Sequence, residues 1–219
     1  MKKRLDVIPV INCHKRDFGC IEAKISQAKR FLKKGGWLHL DVADGRFTFN
    51  KTWGDPTLWA NLRLEFNLEV HLMVEEPEKY IEDWIAAGAK RLIVHAETLN
   101  EKTAQKIVQR ARRRNVDVML SSNPHTTTAE LWPFLKIFSN FQVLAVDPGP
   151  AGQKFIPTVL KKVRFLRNFA PSAMIEVDGG INLETARLAK EAGANIVASA
   201  TYIFRSKNPK KAFKELRGA

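Results

Sequence analysis

The chain has 219 residues, 45% hydrophobic and 27% charged, with two cysteines and a formal net charge of +13 at pH 7. That balance excludes a disordered chain and suits one domain spanning residues 1–219. It also excludes a transmembrane helix, since no run of about 18 apolar residues occurs, and a disulfide framework, for which Cys13 and Cys20 are too few.

Met1-Lys2-Lys3-Arg4 opens the chain with positive charge, but Pro9 and Asn12 interrupt the apolar stretch behind it. A secretory signal needs a longer apolar core and a small-residue cleavage site, so the expected compartment is the cytoplasm. The first strand is predicted over residues 6–12, with Cys13 near its end as a small buried thiol rather than a reactive one. A second follows over 37–42. There His39 and Asp41 share one face, and Leu38, Leu40 and Val42 face a helical layer. The third, over 68–74, carries His71 among apolar neighbours. Further strands are predicted over 91–95, 115–120, 141–146, 173–177 and 195–199. Helical spacing fills the gaps: Ile81, Trp84 and Ile85; Ile107, Val108 and Ala111; Leu160, Val163 and Leu166; Ala186, Ala189 and Ala192. Pro77 and Pro157 suit first helical turns, and Gly88 and Gly193 suit left-handed helix ends before a strand. Eight strands alternating with about eight helices predict a parallel sheet, and at this length closure into a (β/α)₈ TIM barrel is the economical solution. A doubly wound open sheet is the alternative.

The basic residues gather at Lys2 to Arg4, Arg110 to Arg114, Lys154 to Arg167 and Lys207 to Arg217. Such a field attracts anions, from a phosphorylated metabolite to nucleic acid. Most of these residues alternate with apolar positions, as on solvated helix faces, and no aromatic-interleaved basic stretch marks nucleic-acid readout.

In a barrel, catalytic side chains gather at the C-terminal ends of strands. His39, Asp41, His71 and Asp178 lie near such ends, and two imidazoles with two carboxylates form a mixed ligand set for a divalent cation. The same carboxylates are suited to trade a proton with a substrate held between them. Each residue alone has a plainer reading. A strand histidine is usually structural, and Asp178, followed by two glycines, could cap a helix. Asp44 fits capping better and is given no chemistry. His95 is expected to line the mouth, and His14 and His125 to sit in loops. Gly149, Gly152, Gly179 and Gly180 let backbone N–H groups approach an anion, although any one of them could equally mark a turn.

His39-Leu40-Asp41-Val42-Ala43-Asp44-Gly45-Arg46-Phe47 with Asn50, His71-Leu72-Met73-Val74, and Val94-His95-Ala96-Glu97 occur in that order. Asp147-Pro148-Gly149-Pro150-Ala151-Gly152-Gln153-Lys154-Phe155 and Glu176-Val177-Asp178-Gly179-Gly180-Ile181-Asn182 follow. Together they resemble the ribulose-phosphate 3-epimerase family over nearly the whole length. The resemblance implies a phosphate-binding barrel with one divalent metal cation (Zn, Fe(II), Mn or Co) held by His39, Asp41, His71 and Asp178. It implies Asp41 and Asp178 as the acid–base pair that inverts carbon 3 of D-ribulose 5-phosphate, giving D-xylulose 5-phosphate through an enediolate. Substrate contacts are expected from Asn12, His71, Gly149, Gly152, Gly179, Gly180, Ala200 and Thr201. A homo-oligomer is expected, with no membrane or nucleic-acid partner.

The chain departs from the family pattern around the substrate. Val10 stands where the family has Ser, and Asn12, of the same side-chain parity, is expected to replace the lost contact. Ala43 stands for Met, Pro150-Ala151 for Phe-Gly in a loop expected to close over substrate, and Ala200-Thr201 for Gly-Ser. This pattern keeps a second ketose phosphate, such as D-allulose 6-phosphate, as an alternative substrate. Aldol or decarboxylation chemistry would call for a lysine beside the carboxylates, and none occurs in those strand motifs. A non-catalytic phosphate- or RNA-binding barrel is the remaining alternative.

Overall fold

The computed structural model describes residues 5–219, so the basic Met1–Arg4 segment lies outside the described residues. Strands and helices alternate as β1 (Asp6–Ile11), α1 (Phe18–Lys29), β2 (Trp37–Ala43), α2 (Pro56–Asn61), β3 (Asn67–Met73), α3 (Ile81–Ala86), β4 (Ala89–His95) and α4 (Glu101–Arg113). They continue as β5 (Asp117–Ser122), α5 (Thr128–Leu131), β6 (Asn140–Leu144), α6 (Leu160–Phe169), β7 (Ile175–Asp178), α7 (Leu183–Ala192), β8 (Ile196–Ser199), α8 (Thr201–Phe204) and α9 (Pro209–Arg217). All eight strands pair in parallel, each with its sequence neighbours, and β8 closes on β1. This is the TIM barrel the alternation predicts; an open doubly wound sheet would have left two edges unpaired.

Local chemistry sets the helix ends. Asp17, Asp55, Asn100, Asn182 and Asn208 cap α1, α2, α4, α7 and α9 by accepting backbone N–H bonds in the first turn. Asn182, not Asp178, caps α7, which leaves Asp178 free at the end of β7. Asp44 is not a helix cap either; it accepts the amides of Arg46, Phe47 and Glu75 and so ties the β2 and β3 loops together. Gly193 ends α7 in the left-handed conformation, at φ 113°.

Strand parity divides the buried side chains into two layers. Leu38, Leu40, Leu72, Val94 and Val177 face outward against Ile21, Trp84, Ile107, Val163 and Ala189 of the helical ring. The opposite parity fills the barrel with Ile8, Val10, Ile93 and Met119 but also with His39, Glu69, Arg91, His95, Ser121, Gln142 and Glu176, all buried. Register aligns these polar positions: His39 pairs with Glu69, Asp41 with His71, Gln142 with Glu176 and Leu144 with Asp178.

A further expectation needs correction. Cys13 is not a buried thiol; it forms a disulfide with Cys20, joining the end of β1 to the first turn of α1. The close approach comes from the short turn between them, a geometry that cysteine number alone does not reveal. Two basic residues stand apart from the solvated helix faces. Lys162 is buried, donating to Ser122 Oγ and the Asn123 carbonyl, and Arg167 donates to the Gly193 carbonyl at the α7–β8 turn and to the Ala170, Pro171 and Ala173 carbonyls between α6 and β7.

Candidate active site

The C-terminal ends of β2, β3 and β7 bring His39, Asp41, His71 and Asp178 together, all buried, with one possible ligand atom of each within 4.8 Å of all the others. Asp41 stands at the centre. Its Oδ1 lies 3.1 Å from His39 Nε2 and 3.3 Å from His71 Nδ1, and His71 Nδ1 lies 3.6 Å from Asp178 Oδ2. Asn12, just past β1, donates its side-chain amide to Asp41 Oδ2 at 2.8 Å. Burial works against charge on both imidazoles, but hydrogen bonds to Asp41 and Glu69 raise His39 well above its ordinary value. His71 is likewise raised, by Asp178 and Asp41. Burial pushes Asp41 up, but its two imidazole partners hold the carboxyl well below the usual carboxylate range. Two carboxylates and two inward-facing ring nitrogens in one pocket fit a divalent cation, which would take the place of the protons those nitrogens otherwise hold.

A second polar layer lies beneath. Glu69 Oε1 sits 2.7 Å from His39 Nδ1, and Glu69 Oε2 accepts from Arg91 at 2.5 Å, while the Arg91 guanidinium lies 4.2 Å over the Trp37 ring. Glu176 accepts from Gln142 Nε2 at 2.9 Å, and Ser121 donates to Gln142 Oε1. Burial and the nearby Glu69 carboxylate push Glu176 up to about 8, which favours its neutral form. Nothing in the motif spacing singled out Glu69, Glu176, Arg91 or Gln142. Parity could have done so for two of them, since Glu69 shares the inward face of His71, and Glu176 that of Asp178.

Above the four-residue set opens a cleft. Val10, Asn12, Asp41, Gly149, Gly152, Asp178, Gly179, Gly180, Ala200 and Thr201 all line it. His71, expected to touch substrate, is fully buried below the cleft wall, and His39 lies there too. His95, expected at the mouth, is also fully buried, packed against His71. His14 and His125 sit exposed in loops. Gly180 has φ 64°, and a Cβ there would meet the Phe155 backbone nitrogen at 2.5 Å; only glycine lets the β6 and β7 loops come this close. The β2 and β6 loops meet over the opening, where Thr48 donates to the Pro148 carbonyl and Phe49 is 86% exposed.

Residues 16–204 match the model of the ribulose-phosphate 3-epimerase family. The chain is 35% identical over 209 residues to the ribulose-phosphate 3-epimerase of Schizosaccharomyces pombe, with 93% of this chain and 89% of that protein covered. It is 36% identical over 197 residues to that of Bacillus subtilis, with 86% and 89% covered. Among solved structures it resembles a 3-hexulose-6-phosphate synthase, with a TM-score of 0.70 at 15% identity over 98% of each chain. It also resembles KGPDC from Streptococcus mutans, with a TM-score of 0.71 at 14% identity over 100% of this chain and 97% of the other. At such identities the structural likeness speaks for the fold alone.

Proposed function

The chain belongs to the ribulose-phosphate 3-epimerase family, and we propose that it is a metal-dependent enzyme inverting carbon 3 of D-ribulose 5-phosphate to give D-xylulose 5-phosphate. The observation that carries this reading is the convergence of His39, Asp41, His71 and Asp178, with both carboxylates open to one cleft. In the proposal these four residues hold one divalent cation. A bound cation supplies Lewis-acid stabilisation of the negative charge that develops on the sugar oxygens when the carbon next to a ketone loses its proton.

The chain's own residues do the rest. Asp41 and Asp178 come from β2 and β7, so they reach a substrate in the cleft from different sides. One takes the proton from carbon 3 and the other delivers a proton to the opposite face, which is what inversion requires. The amide of Asn12 on Asp41 Oδ2 holds that carboxylate in place and favours its ionised form. Backbone N–H groups of Gly152, Gly179 and Gly180, with the Thr201 hydroxyl, are suited to the phosphate. The cleft lining contains no lysine among the described residues, which argues against Schiff-base aldol chemistry.

Purified protein loaded with Zn, Fe(II), Mn or Co is expected to interconvert the two pentulose phosphates. Asp41→Asn and Asp178→Asn are each expected to lower kcat by at least about 100-fold, the usual contribution of a positioned acid or base. Near-native turnover in either variant would contradict the assigned roles. A second substrate is favoured by one observation: Val10 puts an apolar group in the cleft wall. Comparing kcat/KM for D-ribulose 5-phosphate and D-allulose 6-phosphate decides between them.

A further inference from the structure

Buried His95 and the partly exposed Glu97 form a hydrogen-bonded chain behind His71 that the acid–base reading does not use. The His71 and His95 rings lie nearly parallel and edge to edge, with centroids 5.0 Å apart, an interplanar angle of 11° and Nε2 atoms 2.8 Å apart. His95 Nδ1 lies 3.1 Å from Glu97 Oε2. The other carboxylate oxygen of Glu97 accepts the Asn123 amide at 2.8 Å and the Thr126 hydroxyl. Phe47 packs against the His95 ring, with centroids 4.6 Å apart.

Only one proton fits between two Nε2 atoms 2.8 Å apart, and each ring must place its own accordingly. His71 Nδ1 faces the carboxylates of Asp41 and Asp178. If Nδ1 is to offer a lone pair to a cation there, the proton of neutral His71 belongs on Nε2, which then donates to His95. His95 Nε2 is thereby the acceptor, so its proton sits on Nδ1 and is donated to Glu97. Glu97 is an acceptor on both oxygens, in keeping with an ionised carboxylate. Every donor then meets an acceptor, whereas the reversed assignment sets His95 Nδ1 and the Glu97 carboxylate lone pair to lone pair.

We propose that Glu97 and His95 are positioning residues: a two-step relay that fixes His71 as its Nε2–H tautomer, with the Nδ1 lone pair turned into the four-residue set. His39 has the same device in one step, through Glu69. Outer partners of this kind orient a ligating imidazole and raise its basicity. The inference rests on reading the four residues as a metal site.

Two measurements test it together. In ¹⁵N-labelled protein, both metal-free and zinc-loaded, the His95 ring nitrogens are expected to report a neutral imidazole protonated at Nδ1. Protonation at Nε2 instead would overturn the relay. Zinc affinity, read by chelator competition, is expected to fall about 10- to 100-fold in His95→Leu. It is expected to recover largely in His95→Gln, whose carbonyl can accept from His71 Nε2–H. Equal zinc affinity in the wild type and His95→Leu, or no recovery with Gln, would overturn the proposal. Should His95→Leu fail to fold, the wild-type tautomer decides. A wild type that takes up no zinc would sink the metal reading, while the His95 nitrogens would still report on the relay.

Discussion

Asp41 Oδ1 lies within hydrogen-bonding distance of both imidazoles, and its Oδ2 accepts the Asn12 amide. A hydrogen bond to a charged group is worth about 1.5–3 kcal/mol. Asn12→Ala is therefore expected to lower kcat/KM at least about 10-fold, seen in steady-state kinetics with D-ribulose 5-phosphate, and unchanged kinetics would remove Asn12 from the site. Because His39 and His71 are raised in the metal-free protein, cation binding must displace their protons. Metal uptake near pH 6 is expected to release protons and to weaken as the pH falls further, which calorimetry in buffers of different ionisation enthalpy measures. The Glu69–Arg91 pair is buried on both sides, so removing one partner strands the other. Arg91→Met, which leaves the buried Glu69 carboxylate without its cation, is expected to cost about 3–5 kcal/mol of stability in a denaturant titration.

At the scale of elements, pairing along all of β2 and β3 sets Asp41 beside His71, and the parity of both strands turns these side chains inward. A one-residue slip would turn all of them out to the helical layer. The Cys13–Cys20 disulfide closes a loop of seven residues' separation next to Asn12. On the chain-entropy account, a loop that short is worth about 2 kcal/mol. Cys20→Ser is expected to lower the unfolding free energy by about that amount, and a denaturant titration matching that of the wild type would show the bond to be dispensable. Strand order, the four converging residues and the glycines of the β6 and β7 loops were all legible in the sequence, because each lies in a short motif at a strand end. The disulfide, the burial of His95 and the layer of Glu69, Arg91, Gln142 and Glu176 were not. The disulfide depends on the shape of the turn after β1, and the partners of the other residues sit on other strands, where only barrel closure and register bring them together.

For the whole molecule, the net charge of +13 favours encounter with a phosphorylated sugar. Raising the ionic strength from about 0.01 M to about 1 M shortens the screening length from roughly 30 Å to 3 Å. The value of kcat/KM is expected to fall several-fold across that range, with kcat little changed. The pH dependence of stability should distinguish the metal-free and loaded proteins. His39 and His71, raised above an ordinary 6.5, give stability that is full below that value and lost as the pH climbs through their folded values. Glu176, neutral up to about 8, loses stability in the same direction as the pH rises above its ordinary 4.5. Asp41, lowered, adds stability that is lost only in acid. The Tm of chelator-treated protein is therefore expected to fall as the pH rises above about 6.5, and bound metal to offset that fall, since it binds the deprotonated imidazoles. The central claim, a proton removed from one face of the substrate and another returned to the opposite face by a second group, is tested most directly by isotope exchange. Metal-loaded protein acting on D-ribulose 5-phosphate in heavy water should give, early in the reaction, D-xylulose 5-phosphate deuterated at carbon 3 while the recovered substrate keeps its protium. Deuterium entering the recovered substrate as fast as the product, or a product without deuterium, would contradict it.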